Sequence, residues 1–148
     1  MKIPWYIHGN WKLDPTQLTT LTNDLLEVGV KEEKEKLVTT FHNQDEDVAC
    51  LSFLKNFYKD RVDEIAQDQL FFHNCTIAFN FWAQVYNKAD SHHPIHDHFK
   101  CGYNTVVSFC HFLKPVKNDI FRFTDGKRFE IPRQEEGDLL VFPSYVPH

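Results

Sequence analysis

The sequence predicts a mainly β fold, an antiparallel sandwich or jelly roll supported by N-terminal helices. Aromatic residues make up 15% of the 148 residues, with 14 Phe among them, and aromatic side chains are enriched in strands. After Gln69 the apolar spacing changes from a period of about 3.6 to a period of 2, which separates helices from half-buried strands. We therefore expect a single domain over 1–148, with helical support over 1–70 and a jelly-roll core over 71–148.

The N-terminal half carries two helix signals. Asp14 followed by Pro15 is typical of a helix start, since Asp caps free N–H groups and Pro suits the first helical position. Apolar residues then recur at steps of three and four up to Val28. A second amphipathic helix fits Asp47 to about Gln67, and the charged run between the helices, Lys31–Lys36, is typical of a solvated turn or helix face.

The C-terminal half shows strand periodicity. In residues 77–86 one alternating face is wholly apolar and should pack on the helices, while the other face mixes aromatics with amides and should line a ligand site. Residues 124–127 (TDGK) are a hairpin turn signal between two later strands. The further predicted strands are 104–113, 119–123, 128–131 and 138–142.

Composition excludes several classes of protein. The net charge of −5 and the absence of a Lys/Arg-rich stripe argue against binding nucleic acid. Apolar runs are too short for a membrane span, and the N-terminus lacks the apolar core of a signal peptide. The four cysteines form no CxxC pair, so they are interpreted as reduced thiols of a cytoplasmic protein.

Histidine is the residue type that stands out. The chain has nine, and four of them fall between His92 and His98. In a strand, residues two apart face the same side, so His96 and His98 can present two imidazoles to one point. A third ligand from a neighbouring strand would complete a facial metal site with open coordination positions.

A second motif ends fifty residues further on, at His148. Residues 137–148, GDLLVFPSYVPH, combine a Gly turn, a buried strand and a short turn that delivers His148. With the upstream HxH, this motif resembles the double-stranded β-helix oxygenases, and is similar to the iron(II)/2-oxoglutarate-dependent oxygenases common in marine phages and bacteria. The resemblance covers about residues 77–148, through Trp82–Tyr86, His96–His98, Val106–Pro115 and Gly137–His148.

The resemblance implies a double-stranded β-helix with a metal site. His96, His98 and His148 take the ligand positions for Fe(II), which would bind 2-oxoglutarate and molecular oxygen and oxidise a small-molecule or peptide substrate. Tyr86 lies near the place where related enzymes carry a Tyr that hydrogen-bonds the co-substrate. As a strand aromatic, Tyr86 fits packing inside the barrel equally well.

Two departures from the family pattern leave alternatives open. Most members carry Asp or Glu where this chain has His98. The family also has a last strand with an Arg that pairs with the distal carboxylate of 2-oxoglutarate; we expect that strand beyond residue 148, with Lys100, Lys114 and Arg122 as possible substitutes. Two alternative hypotheses are a cupin-type metal-binding protein or dioxygenase and a non-enzymatic jelly-roll interaction module.

Overall fold

The computed structural model describes residues 5–43, 49–99 and 105–148. The chain forms two compact units, here called the terminal unit (residues 1–18 and 94–148) and the central unit (residues 19–93). Small antiparallel sheets and two long helices make up the described fold, which is the β-rich architecture with helices in the first half that the sequence predicts. That the chain is one domain divided near residue 70 stays a prediction.

The first helix begins where the sequence predicts. Helix α1 spans Pro15–Val28, and Asp14 Oδ1 accepts hydrogen bonds from the backbone N–H groups of Thr16 (2.9 Å) and Gln17 (3.3 Å). These bonds satisfy two of the N–H groups that every helix start leaves without an intrahelical partner. Asp14 is therefore the N-cap.

The central unit combines a second helix with a small sheet. Helix α2 spans Ala49–Asp68, close to the prediction, whose first two residues lie outside the described part of the chain. Strands β2 (Val30–Glu32) and β3 (Leu37–Thr39) form a hairpin, with β4 (Gln84–Val85) on the other side of β3. The charged run over 31–36 thus forms one edge of this hairpin and its turn. Among the side chains of α2 that the structure describes, the buried ones are those of Leu51, Leu54, Tyr58, Ile65 and Ala66.

The long strand predicted over residues 77–86 is wrong in its length. Only β4, two residues, joins a ladder, because its partner β3 is itself three residues long. The alternation survives without a ladder only over residues 77–81, where Ile77, Phe79 and Phe81 are half-buried and the residues between them are exposed. Residues 82–85 are all half-buried. Phe81 packs edge-on against Tyr58 of α2 at 5.5 Å between ring centroids, as the predicted apolar face requires.

The terminal unit is built on one three-stranded sheet. Its order is β1 (Ile7–Asn10), β8 (Asp138–Pro143), β5 (Val107–His111), with both pairings antiparallel. The central strand β8 is buried at all six positions. The predicted turn connects the two strands of a short hairpin, β6 (Phe123–Thr124) and β7 (Phe129–Glu130). Both strands are shorter than the sequence suggests.

One face of this sheet carries the core of the terminal unit, here called the aromatic cluster. Cross-strand partners point to the same face, so Ser108 with Phe142 and Cys110 with Leu140 share it. Burial raises the pKa of the Cys110 thiol to about 12. The cluster consists of Phe112, Phe123, Leu140, Phe142 and Val146, with Cys110 and Phe121 packed against it.

Among the described residues, no helix has both the length and the apolar character needed to cross a membrane.

Candidate metal centre

The entry into β8 is fixed by Gly137. Its φ of +84° is left-handed, a region that residues with a Cβ rarely adopt. A Cβ there would also lie 2.6 Å from Lys12 Cγ. The close approach accompanies a 2.7 Å hydrogen bond from the backbone N–H of Trp11 to the Gly137 carbonyl, so this glycine allows the two chain segments to meet.

Asp138 ties the first strand of the chain to the β8 strand. Its carboxylate is fully buried and accepts hydrogen bonds from Asn10 Nδ2 (2.7 Å) and the Glu135 N–H (2.8 Å). His8 Nε2 (3.1 Å) and Arg133 Nε (3.3 Å) complete the set. Burial alone would raise the pKa of Asp138, but the hydrogen bonds from Asn10, Glu135 and His8 outweigh it and hold the pKa below its ordinary value.

Beyond β8, hydrogen bonds fix the course of the segment that ends at His148. The Val146 N–H donates to the Pro143 carbonyl (3.1 Å), and the Thr124 N–H of β6 donates to the Pro147 carbonyl (2.9 Å). The buried Ser144 hydroxyl donates to the Thr105 carbonyl. The segment after β8 is thus held on two sides before it reaches His148.

The HxH segment lies alongside this final segment. His96 and His148 exchange two backbone hydrogen bonds, His96 N–H to the His148 carbonyl (3.1 Å) and His148 N–H to the His96 carbonyl (3.0 Å). The His98 N–H donates to the Ser144 carbonyl (2.9 Å). The reciprocal pair has the pattern of an antiparallel ladder, and it brings the two sequence motifs together.

The three imidazoles meet at one place within the terminal unit. Ring centroids are 5.0 Å apart for His96 and His98, 4.5 Å for His96 and His148, and 5.2 Å for His98 and His148. One ligand nitrogen from each ring lies within 4.8 Å of the others, and all three residues are half-buried. The arrangement can receive a metal ion, whereas its identity as a metal site stays a prediction.

Hydrogen bonds at Nδ1 determine which ring nitrogen is available as a ligand. His96 Nδ1 lies 2.9 Å from the Pro94 carbonyl, and His148 Nδ1 lies 3.0 Å from the Val146 carbonyl. Because a carbonyl oxygen only accepts, each Nδ1 must carry the proton, and the lone pair of the neutral ring then resides on Nε2. Metal-ligating histidines commonly have this arrangement, with the far ring N–H donated to a backbone carbonyl.

The other residues singled out from the sequence are described by their own contacts. Asp97 Oδ1 accepts a hydrogen bond from the Phe99 N–H (3.1 Å), and no carboxylate joins the three histidines in the part of the chain that is described. Tyr86 belongs to the central unit, where its hydroxyl lies 2.6 Å from Gln84 Oε1; its contact with a co-substrate stays a prediction. Arg122 pairs with Asp119 (3.1 Å), and Lys100 lies outside the described residues.

Two aromatic neighbours of His148 were not expected from the sequence. Phe121 stacks on the His148 ring at 5.2 Å and 29°, and Phe142 presents its edge at 5.0 Å and 73°. The Phe142 contact follows from its place in β8, six residues before His148. No sequence signal distinguishes Phe121 from the other phenylalanines, because its position depends on how the segment before β6 folds back.

Comparison with known proteins adds no relative: no protein-family model, curated protein or solved structure matches this chain. What the three-histidine site does must therefore be inferred from its own residues.

Proposed function

We propose that this protein binds a divalent transition metal through His96, His98 and His148, and that the centre is that of a non-haem iron(II)/2-oxoglutarate-dependent oxygenase. The observation that supports it is the convergence of three ligand nitrogens within 4.8 Å on two segments joined by backbone hydrogen bonds. Histidine clusters of this kind are a recurrent ligand set for iron, zinc, copper and nickel.

The donor set fits such an ion chemically. Metal–nitrogen bonds of about 2.1 Å place neighbouring ligands of an octahedral ion about 3 Å apart. The nitrogens of His96, His98 and His148 lie within 4.8 Å, so they need to approach by less than about 2 Å, within the reach of small side-chain rotations. Three protein ligands also leave coordination positions open, as a catalytic site requires.

The residues of the site would hold the ion and control its charge. Three neutral imidazoles leave the full charge of a divalent ion uncompensated, which favours an anionic ligand such as the carboxylate of a 2-oxo acid. When bound, iron(II) would supply positions for 2-oxoglutarate and oxygen together with one-electron chemistry. The hydrogen bonds at Nδ1 of His96 and His148 would keep both rings in the ligating tautomer.

The fold around the site supports the same proposal. We infer that the β1–β8–β5 sheet and the β6–β7 hairpin form part of a double-stranded β-helix, in which two antiparallel sheets pack face to face. The aromatic cluster lies on one face of this sheet, and Phe123 of β6 packs against Phe142 of β8 at 5.0 Å. The free thiols of Cys75 and Cys110 accord with a cytoplasmic protein.

The proposal is tested first by metal stoichiometry. Under anaerobic conditions the chain should bind one equivalent of iron(II) or cobalt(II), and His96→Ala should weaken binding at least about a hundredfold. His92→Ala is the matched control, since its Nδ1 also contacts the carbonyl two residues earlier (Asp90, 3.2 Å). Equal metal binding by wild type and His96→Ala would overturn the site.

A second measurement tests the co-substrate. Adding 2-oxoglutarate to the anaerobic iron(II) protein should produce a weak visible absorption band, and admitting oxygen should release succinate. A protein that binds iron but gives neither signal would be a metalloprotein of another kind. Absence of metal binding would instead favour the non-enzymatic interaction module.

One observation favours the cupin-type dioxygenase as the second candidate. The described cluster contains three imidazoles and no carboxylate, whereas most 2-oxoglutarate enzymes use two histidines and one carboxylate. Oxygen consumption that depends on metal but not on 2-oxoglutarate would identify this alternative.

A further inference from the structure

A buried amide holds the phenylalanine that stacks on His148. We propose that Phe121 is a positioning residue for the His148 imidazole, and that Gln134 fixes Phe121 in turn. The inference rests on the proposed metal centre, because it assigns how one of its ligands is oriented. Phe121 is half-buried beside the aromatic cluster, and its ring lies 5.2 Å from that of His148 at an interplanar angle of 29°.

The Gln134 side chain forms hydrogen bonds with both backbone polar groups of Phe121, the N–H and the carbonyl. The Phe121 N–H donates to Gln134 Oε1 (2.8 Å), and Gln134 Nε2 donates to the Phe121 carbonyl (2.6 Å) and to the Pro132 carbonyl (3.2 Å). The side chain of Gln134 is 1% exposed, so these bonds have no competition from solvent and the Phe121 backbone would be left with unsatisfied groups without them. The amide thus does for Phe121 what a neighbouring strand would do.

The contacts of His148 constrain its ring in two different ways. The hydrogen bond from Nδ1 to the Val146 carbonyl (3.0 Å) sets the direction of one ring edge, but it leaves the ring plane free to rock about that bond. Phe121 and Phe142 restrict the plane, and of these two Phe121 is the one that stacks on the ring face. His98, which also stacks on it at 5.2 Å and 9°, is itself one of the three ligands. Together the two kinds of contact aim Nε2, and an already ordered ligand loses less conformational freedom when a metal binds.

The chain offers a matched control for Phe121. Phe112 belongs to the same aromatic cluster and contacts the Phe121 ring at 5.9 Å, while His148 is not among its ring contacts in the described structure. Phe112→Leu should therefore disturb the same core without removing the stacking partner of the ligand.

The experiment measures cobalt(II) affinity and the cobalt(II) visible spectrum of the whole chain. Phe121→Leu should weaken binding about tenfold and alter the ligand-field bands, as loss of a residue supporting a ligand typically does. Gln134→Met should change the affinity and the bands in the same direction. Phe121→Tyr, which keeps an aromatic face, should retain the wild-type affinity and bands. Phe112→Leu should leave affinity within about twofold of wild type, although both cluster variants lower the thermal unfolding temperature.

Nuclear magnetic resonance of the metal-free protein separates this inference from the metal proposal. At a pH where the imidazoles are neutral, the carbon-bound ring protons of His148 should show an aromatic ring-current shift that Phe121→Leu reduces and Phe112→Leu keeps, with Phe142 at 5.0 Å supplying part of the remainder. If wild type shows that shift but binds no cobalt, the metal centre is wrong while the packing stands. Equal losses of affinity in Phe121→Leu and Phe112→Leu, or His148 ring-proton shifts that Phe121→Leu leaves unchanged, would overturn the positioning role.

Discussion

Strand β8 and the segment 77–86 share a strand-like sequence pattern but differ in how much of it forms a strand. All six residues of β8 are buried and pair with β1 on one side and β5 on the other. In segment 77–86 only Gln84 and Val85 pair, and they pair with one short strand. The difference shows that a strand-like sequence pattern alone does not make a strand, because a ladder forms only where partners of matching length exist.

The largest expected difference is in the energy of packing. Phe142→Ala should lower the free energy of unfolding by about 3–5 kcal/mol, because the ring is 1% exposed and its removal leaves a cavity in the aromatic cluster. Phe79→Ala, the control in the segment without a ladder, should cost about 1 kcal/mol because that ring is half-buried. Urea unfolding measures both, and equal costs would show that the two regions are packed alike.

The buried Asp138 and the exposed Asp90 differ in how much each contributes to the pH dependence of stability. The pKa of Asp138 is held below its ordinary value by Asn10, Glu135 and His8 against the effect of burial. The Lys36 ammonium lowers that of the exposed Asp90, chiefly through a hydrogen bond. The unfolded-state pKa of Asp is about 3.9, so Asp138 contributes its stability above that pH and loses it as the pH falls through its lower folded-state pKa.

Of these two carboxylates, only Asp138 is expected to contribute measurably to the free energy of unfolding. Asp138→Asn should lower the free energy of unfolding by about 2 kcal/mol near neutral pH, since a neutral amide replaces the buried, charged acceptor of these hydrogen bonds, and the variant should lose less stability than wild type below about pH 4. Asp90→Asn should leave unfolding unchanged, because an exposed ion pair is largely screened by solvent. Parallel acid-unfolding curves for wild type and Asp138→Asn would contradict this assignment.

The fold was predictable where local chemistry decides structure. The N-cap at Asp14, helix α2 and the turn at 124–127 each depend on neighbours close in sequence. The lengths of β4, β6 and β7 were not predictable, because they depend on distant partners. Gln134 was missed for the same reason: an amide 13 residues from Phe121 in sequence gives no local sign of its hydrogen bonds.

The ligand residues of the site were more predictable than the contacts that hold them in place. The spacing of His96 and His98 and the motif ending in His148 pointed to three residues that the structure places together. The reciprocal backbone bonds of His96 and His148, and the stacking of Phe121, depend on how the chain folds back on itself. The place of Ser108 and Cys110 on the sheet face that carries the aromatic cluster likewise depends on the pairing of β5 with β8.

The smallest expected effect concerns two buried serines of the β5–β8 region. The Ser144 hydroxyl donates to the Thr105 carbonyl, whereas the Ser108 hydroxyl is buried beside the cross-strand partner Phe142 with no hydrogen-bond partner in the described structure. Ser144→Ala should therefore lower the free energy of unfolding by about 1 kcal/mol. Ser108→Ala should leave it unchanged or raise it by up to about 1 kcal/mol, because it removes a polar group that folding strips of water. Urea unfolding of both variants compares them directly, and a loss at Ser108 as large as that at Ser144 would mean that its hydroxyl has a bonding partner in solution.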